Sequence, residues 1–173
     1  MSKVSVIIPF YNGVDWLCEA VQSVLDQTYK DLEIIVVNDG SPEDVTMFLE
    51  KYGDKMVYHK QINQGPAAAR NYAMKIATGD YFAFLDSDDI WLPEKTEKQI
   101  SLMKTTGAKW SHTGFYYWTP SNGSLKSIDN SKDYDDIYIQ TFVSIKIATP
   151  CVIVDRKTFE EHPEIIYPKN MRK

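Results

Sequence analysis

The sequence predicts an α/β protein of the Rossmann-like class, with a mostly parallel central sheet flanked by helices. Two observations carry that prediction. Short, β-branched apolar runs recur without the in-out alternation of a half-exposed strand, as in strands buried on both faces. Between them lie segments with apolar residues three and four apart, as in helices that lay one face on a sheet. At 173 residues and 43% hydrophobic content the chain can build one domain with a real core and is short for two.

The elements follow in order. Lys3 to Ile8 (KVSVII) reads as a buried strand ended by Pro9. Val14, Leu17, Val21, Val24 and Leu25 share one face of a helix. Leu32 to Val37 (LEIIVV) is the second strand, and Pro42 is expected to open a helix with acidic residues in its first turn. Met56 to His59 is a third, shorter strand. Pro66 to Ala77 is helix-forming and stops before Gly79, read as a C-terminal glycine. Tyr81 to Leu85 is the fourth strand, and Pro93 begins a helix reaching Thr106. The pattern then changes, marking a second lobe of the same domain from about residue 109. Lys109 to Trp118 reads as one long strand with its rings in the core, and 119–124 (TPSNGS) as a turn. The 133–142 stretch is ambiguous between helix and strand. Ile145 to Val154 brackets TPCVIV, and a short helix follows from Asp155.

Composition excludes several classes. A net charge of −5 argues against bulk nucleic-acid binding. No apolar run approaches the roughly 18–20 residues that span a bilayer, so no transmembrane segment is expected. MSKVSVII lacks the length and cleavage site of a signal peptide. Cys18 and Cys151 have no CxxC or His partner spacing and read as reduced, buried thiols. The expected location is the cytoplasm, with a peripheral place at the inner face of a membrane as the alternative. His59, His112 and His162 show no metal-like spacing, and the basic tail KNMRK reads as a solvated end.

In an open parallel sheet, ligands bind outside the carboxyl ends of the strands. Four loops leave such ends here, and each is polar: Pro9, Tyr11 and Asn12; Asn38 to Ser41; Asn63 to Gly65, feeding a helix with Arg70 and Asn71; and FAFLDSDDIW, with Asp86, Asp88 and Asp89. Three carboxylates within four residues repel one another and call for a positive charge. An isolated DxDD is equally a helix N-cap or a solvated turn. Its place after FAFL and beside three other polar loops favours a metal site, with Asp86 and Asp88 as hard oxygen ligands for Mg2+ or Mn2+. No GxxxxGK[ST] loop is present, and no GxGxxG follows the first strand.

VSVIIPFYNG, SVLDQTY, EIIVVNDGS, NQGPAAARNYA and GDYFAFLDSDD together resemble the inverting family-2 glycosyltransferases of the GT-A fold, a nucleotide-diphospho-sugar transferase fold. The resemblance runs from residue 3 to 93 and continues more loosely through TPCVIVDR, Thr149 to Arg156. It implies a nucleotide-sugar-binding lobe at 1–108 and the start of an acceptor lobe at 109–173, where stacking of the Trp110 to Trp118 rings on acceptor sugars is the alternative to their packing in the core. Pro9 and Tyr11 would border the nucleotide base, with Tyr11 as a stacking face. Asp39 would accept from the base, and Arg70 would lie near base or phosphates. Asp86 would contact ribose or the metal shell, and Asp88 would be the principal metal ligand.

The implied partners are a nucleotide-diphosphate sugar, UDP by analogy, and a saccharide or lipid-linked saccharide acceptor. The implied cofactor is Mn2+ or Mg2+. The family's general base belongs to a Glu-Asp pair, expected here just beyond Lys173; Glu160, Glu161 and Glu164 sit too early and form no such pair. No catalytic base is nominated, and the chain reads as truncated at its C-terminus. Two other functions compete: a sugar-nucleotide-binding module without catalysis, and a haloacid-dehalogenase-like phosphatase. The second expects its acidic motif after the first strand, whereas here it follows the fourth.

Overall fold

A computed structural model describes residues 2–119, 121–130, 147–162 and 167. The elements are β1 (Val4–Phe10), α1 (Val14–Leu25), β2 (Leu32–Asn38), α2 (Thr46–Tyr52), β3 (Val57–Lys60), α3 (Pro66–Ile76), β4 (Tyr81–Phe84) and α4 (Lys95–Thr106). They continue with β5 (Trp110–Ser111), β6 (Phe115–Thr119), β7 (Ser124–Ile128), β8 (Ile153–Asp155) and α5 (Arg156–Glu161), with 3-10 turns at Gly53–Lys55 and Thr149–Cys151. The main sheet has the order β3-β2-β1-β4-β8-β5. Its first four strands run parallel, and β8 is antiparallel to both β4 and β5. The predicted α/β architecture is therefore present. After β3 the chain returns to the far side of β1, which opens a switch point between β1 and β4 at their carboxyl ends.

Alternate residues of β1 feed opposite faces. Val4, Val6, Ile8 and Phe10 meet Leu17, Val21 and Val24 of α1, Phe48 and Tyr52 of α2, and Ile100 and Met103 of α4. Ile7 faces the other way, with Ala69, Ala73 and Met74 of α3 and with Phe82 and Phe84. Phe159 of α5 closes that side, its ring 5.5 Å from Phe82. Arg156 seals the end of α3 by donating to Ala77 O at 2.6 Å and Gly79 O at 2.5 Å.

Several expectations are corrected. Pro9 does not end β1, which pairs with β2 through Pro9 and Phe10. Pairing with β4 stops at Ile7, so the missing proline N–H faces no strand. Pro42 opens no helix: α2 starts at Thr46, because Glu43 turns back to α1 and Asp44 accepts from Thr46 N at 2.9 Å. Pro93 likewise precedes α4, which starts at Lys95. Gly79 is not a left-handed helix end; a Cβ there would lie 2.7 Å from Ser5 N, so its lack of a side chain permits close approach. The Lys109–Trp118 strand is two strands in two sheets. The chain leaves the main sheet after Ser111, and Gly114 approaches Ile128 O closely, starting the β6-β7 hairpin. On that hairpin Tyr116, Tyr117 and Trp118 are exposed rather than in the core. Cys151 is buried and Cys18 half-buried, and both are free thiols. The 133–142 stretch, Glu164 and the basic tail lie outside the described residues.

At the amino ends of the strands, opposite the switch point, Glu33 accepts from Ser5 Oγ at 2.6 Å, Thr78 N at 2.8 Å, Thr78 Oγ1 at 2.7 Å and Lys3 Nζ at 3.3 Å. Burial opposes its ionisation, but these bonds prevail and hold its carboxyl at about 2, against 4.5 ordinarily. Its stabilisation is therefore complete above pH 4.5 and fades as pH falls toward 2. Glu33→Gln is expected to cost on the order of 2–3 kcal/mol at pH 7 and much less near pH 2. Urea unfolding of both proteins across that range checks it; a cost independent of pH would refute the assignment.

Candidate functional site

Four loops meet at the switch point and enclose a cleft of about 390 Å³. Pro9, Tyr11, Asp39, Arg70, Asp86 and Asp88 all line it, with Asn12, Trp16 and Asn63. The six site residues predicted from sequence are thus brought together. A larger recess, about 550 Å³, lies between α1 and α2 and contains none of them.

The floor of the cleft is fixed by hydrogen bonds between loops. Asn38 donates to Tyr58 Oη at 2.6 Å and accepts from Ser41 N at 2.7 Å, tightening the turn after β2. Gly40 has φ 76°, and a Cβ there would lie 2.8 Å from Asn63 N, so the second and third loops touch backbone to backbone. Asp39 is 3% exposed. Its Oδ1 accepts from Gln61 Nε2 at 2.8 Å and Gln64 N at 2.9 Å, and its Oδ2 from Gly65 N at 2.7 Å. A carboxylate offers about four acceptor sites. Three are used inside the chain, which leaves about one, on Oδ2.

Glu43 supplies a second carboxylate to a helix start. Its two oxygens accept from Gly13 N at 2.8 Å and Val14 N at 2.9 Å. The positive ends of α1 and α3 are thereby already met by Glu43 and Asp39, so neither is an open anion cradle of the usual kind. An anionic ligand in this cleft must find its positive charge elsewhere.

On the other wall, Asp89 N donates to Asp86 O at 3.1 Å, closing a turn that holds the acidic knot. The segment beyond it is anchored from α1: Ser23 Oγ accepts from Trp91 N, while Gln27 donates to Leu92 O and accepts from Thr96 N. Trp91 Nε1 donates to Pro150 O at 2.9 Å. Arg70 Nη2 is ion-paired with Asp86 Oδ1, their side chains 12% and 31% exposed. Among the described residues, Arg70 Nε is buried without a hydrogen-bond partner. Asp88 is exposed. Asp89 is exposed as a residue, yet its carboxyl is pushed up to about 6, first by desolvation and then by the charges of Asp86 and Asp88. One arginine does not neutralise this knot.

Among the described residues no three His, Cys, Asp or Glu side chains converge to cage an ion. The donor set fits an open site of two carboxylates, of the kind Mg2+ and Mn2+ complete with water and phosphate oxygens. Sequence reasoning missed Trp16, Glu43 and Gln61. Trp16 stands off the buried stripe of α1 and is 57% exposed, which was a readable signal; the other two act through partners distant in sequence.

Residues 5–162 match the family model "Glycosyl transferase family 2". An uncharacterized glycosyltransferase of Rickettsia bellii is 36% identical over 173 residues, covering 99% of this chain and 25% of that protein. The Escherichia coli UDP-Glc:alpha-D-GlcNAc-diphosphoundecaprenol beta-1,3-glucosyltransferase WfaP is 42% identical over 118 residues, covering 67% of this chain and 47% of that protein. In structure, S. aureus TarS 1–349 in complex with UDP superposes with a TM-score of 0.78 at 23% identity, over 99% of this chain and 52% of that one. The chain thus spans about a quarter to a half of the length of these proteins. Among the described residues, no helix is long and apolar enough to cross a membrane.

Proposed function

The chain belongs to glycosyl transferase family 2, and from that premise we propose that it binds the donor in metal-assisted, inverting transfer of a sugar from a UDP-sugar to a hydroxyl group. The observation that carries this reading is the convergence of Pro9, Tyr11, Asp39, Arg70, Asp86 and Asp88 on one cleft at the switch point. The similarity to WfaP, which is named for a UDP-Glc donor and a GlcNAc-diphosphoundecaprenol acceptor, supports a UDP-sugar and a lipid-linked saccharide.

Residues 1–108 form the donor lobe in this reading, and 109–173 begin the acceptor lobe, whose exposed Tyr116, Tyr117 and Trp118 offer faces for sugar rings. Tyr11, 47% exposed, presents its ring to the base beside Pro9. Asp39 offers its remaining acceptor site to a base N–H. Arg70, held by Asp86, lines the cleft and would meet ligand oxygens with its guanidinium. Asp88 and Asp86 would hold Mg2+ or Mn2+, which when bound offsets the charge that builds on the departing diphosphate. In the transfer, the bond from the anomeric carbon to the phosphate oxygen breaks, and its electron pair leaves with the diphosphate. The acceptor oxygen bonds to the opposite face of that carbon and inverts it. The hydroxyl proton passes to a general base, for which we nominate no described residue.

The test is UDP titration by calorimetry with and without Mn2+, alongside UDP-sugar hydrolysis. Binding at least tenfold tighter with Mn2+ is expected. No nucleotide binding at millimolar UDP would overturn the proposal. Binding without sugar release would favour a donor-holding module.

A further inference from the structure

Among the described residues that line the cleft Arg70 is the one cation, and Asp86 holds its planar guanidinium through a single nitrogen, Nη2. A second support comes from a residue 97 positions later. The Arg70 Cζ lies 5.2 Å from the centre of the Tyr167 ring, a cation–π distance. The neighbouring Asn71 clasps the Tyr167 backbone in both directions: its Nδ2 donates to Tyr167 O at 2.8 Å, and its Oδ1 accepts from Tyr167 N at 3.1 Å. Phe84, the last residue of β4, meets the same ring edge-on at 5.7 Å and 77°. Tyr167 therefore touches both elements that carry the ion pair, α3 with Arg70 and the end of β4 that leads to Asp86.

We propose that Tyr167, clasped by Asn71, is a positioning residue that holds the Arg70 guanidinium against Asp86 at the mouth of the donor cleft. The proposal rests on the donor-site reading above. Apolar packing on Phe84 could be served by any large aliphatic side chain; a flat ring beside a guanidinium, with its backbone gripped twice by the next residue, specifies orientation. Asn71 and Tyr167 are not cleft-lining residues, so their effect on a ligand passes through Arg70.

The experiment is calorimetric UDP titration of the full chain with Mn2+, for Tyr167→Phe, Tyr167→Leu and Asn71→Ala, each in the wild-type and the Arg70→Ala background. Tyr167→Phe keeps the ring and is expected within twofold of wild type. Tyr167→Leu is expected about tenfold weaker and Asn71→Ala about threefold weaker, with both losses vanishing once Arg70 is gone, because coupled residues are non-additive. Equal losses in both backgrounds would assign Tyr167 a merely structural role and overturn the proposal, as would unchanged affinity for Tyr167→Leu. Should Tyr167→Leu fail to fold, Asn71→Ala provides the same comparison. Absence of UDP binding by the wild type would instead overturn the donor-site reading, and this proposal with it.

Discussion

Asp88→Ala is expected to remove the Mn2+-dependent gain in UDP affinity, a loss of at least tenfold, while leaving the thermal midpoint within a few degrees of wild type. Asp88 is exposed, and among the described residues its carboxylate makes no hydrogen bond or ion pair. Its removal deletes no folding contact, and surface changes of that kind stay within about 0.5 kcal/mol. It also relieves repulsion, since the Asp88 charge helps push the Asp89 carboxyl up to about 6. Among the described residues this carboxylate burdens the knot electrostatically and supports nothing else, which is what the proposed cation site requires of it. Equal UDP affinity with and without Asp88, measured in Mn2+, would remove it from the metal site.

Asp39→Asn is expected to act in two ways at once. The carboxylate holds Gln61 Nε2, Gln64 N and Gly65 N. An amide has one oxygen to accept with, and its NH2 would confront an N–H donor. Hydrogen bonds to a charged acceptor are worth about 1.5–3 kcal/mol each, so a stability loss of about 2–4 kcal/mol is expected in urea unfolding. The second effect is on selectivity. UDP should weaken more than inorganic diphosphate, because in the proposed reading the remaining Oδ2 acceptor site serves the base rather than the phosphates. Equal weakening of both would take Asp39 out of the base pocket and leave it as the organiser of the loop before α3.

The sheet was legible because each parallel strand is an uninterrupted apolar run, and a parallel sheet sends every strand's carboxyl end to one rim. That rule alone brings Tyr11, Asp39, Arg70 and Asp88 together, whatever the exact bounds of the elements. Bounds failed where a residue's partner was remote. Pro9 stays in β1 because β4 is short, and Gly79 is required by Ser5, 74 residues earlier. In the aromatic run 110–118 hydrophobicity does not mean burial, because Gly114 divides it and sends the second half to a hairpin. Glu43, Gln61 and Tyr167 were invisible for the same reason. Each acts through a bond or ring contact spanning between 22 and 97 residues, and no local pattern announces such a partner.

The central claim is that a divalent cation held at Asp88 joins a nucleotide diphosphate to the cleft between the ends of β1 and β4. A crystal of the chain grown with UDP and Mn2+ tests it most directly. The predicted result places the base between Tyr11 and Asp39, with the ion bridging Asp88 to the diphosphate. A nucleotide seated in the recess between α1 and α2, or an ion that touches neither Asp86 nor Asp88, would contradict it.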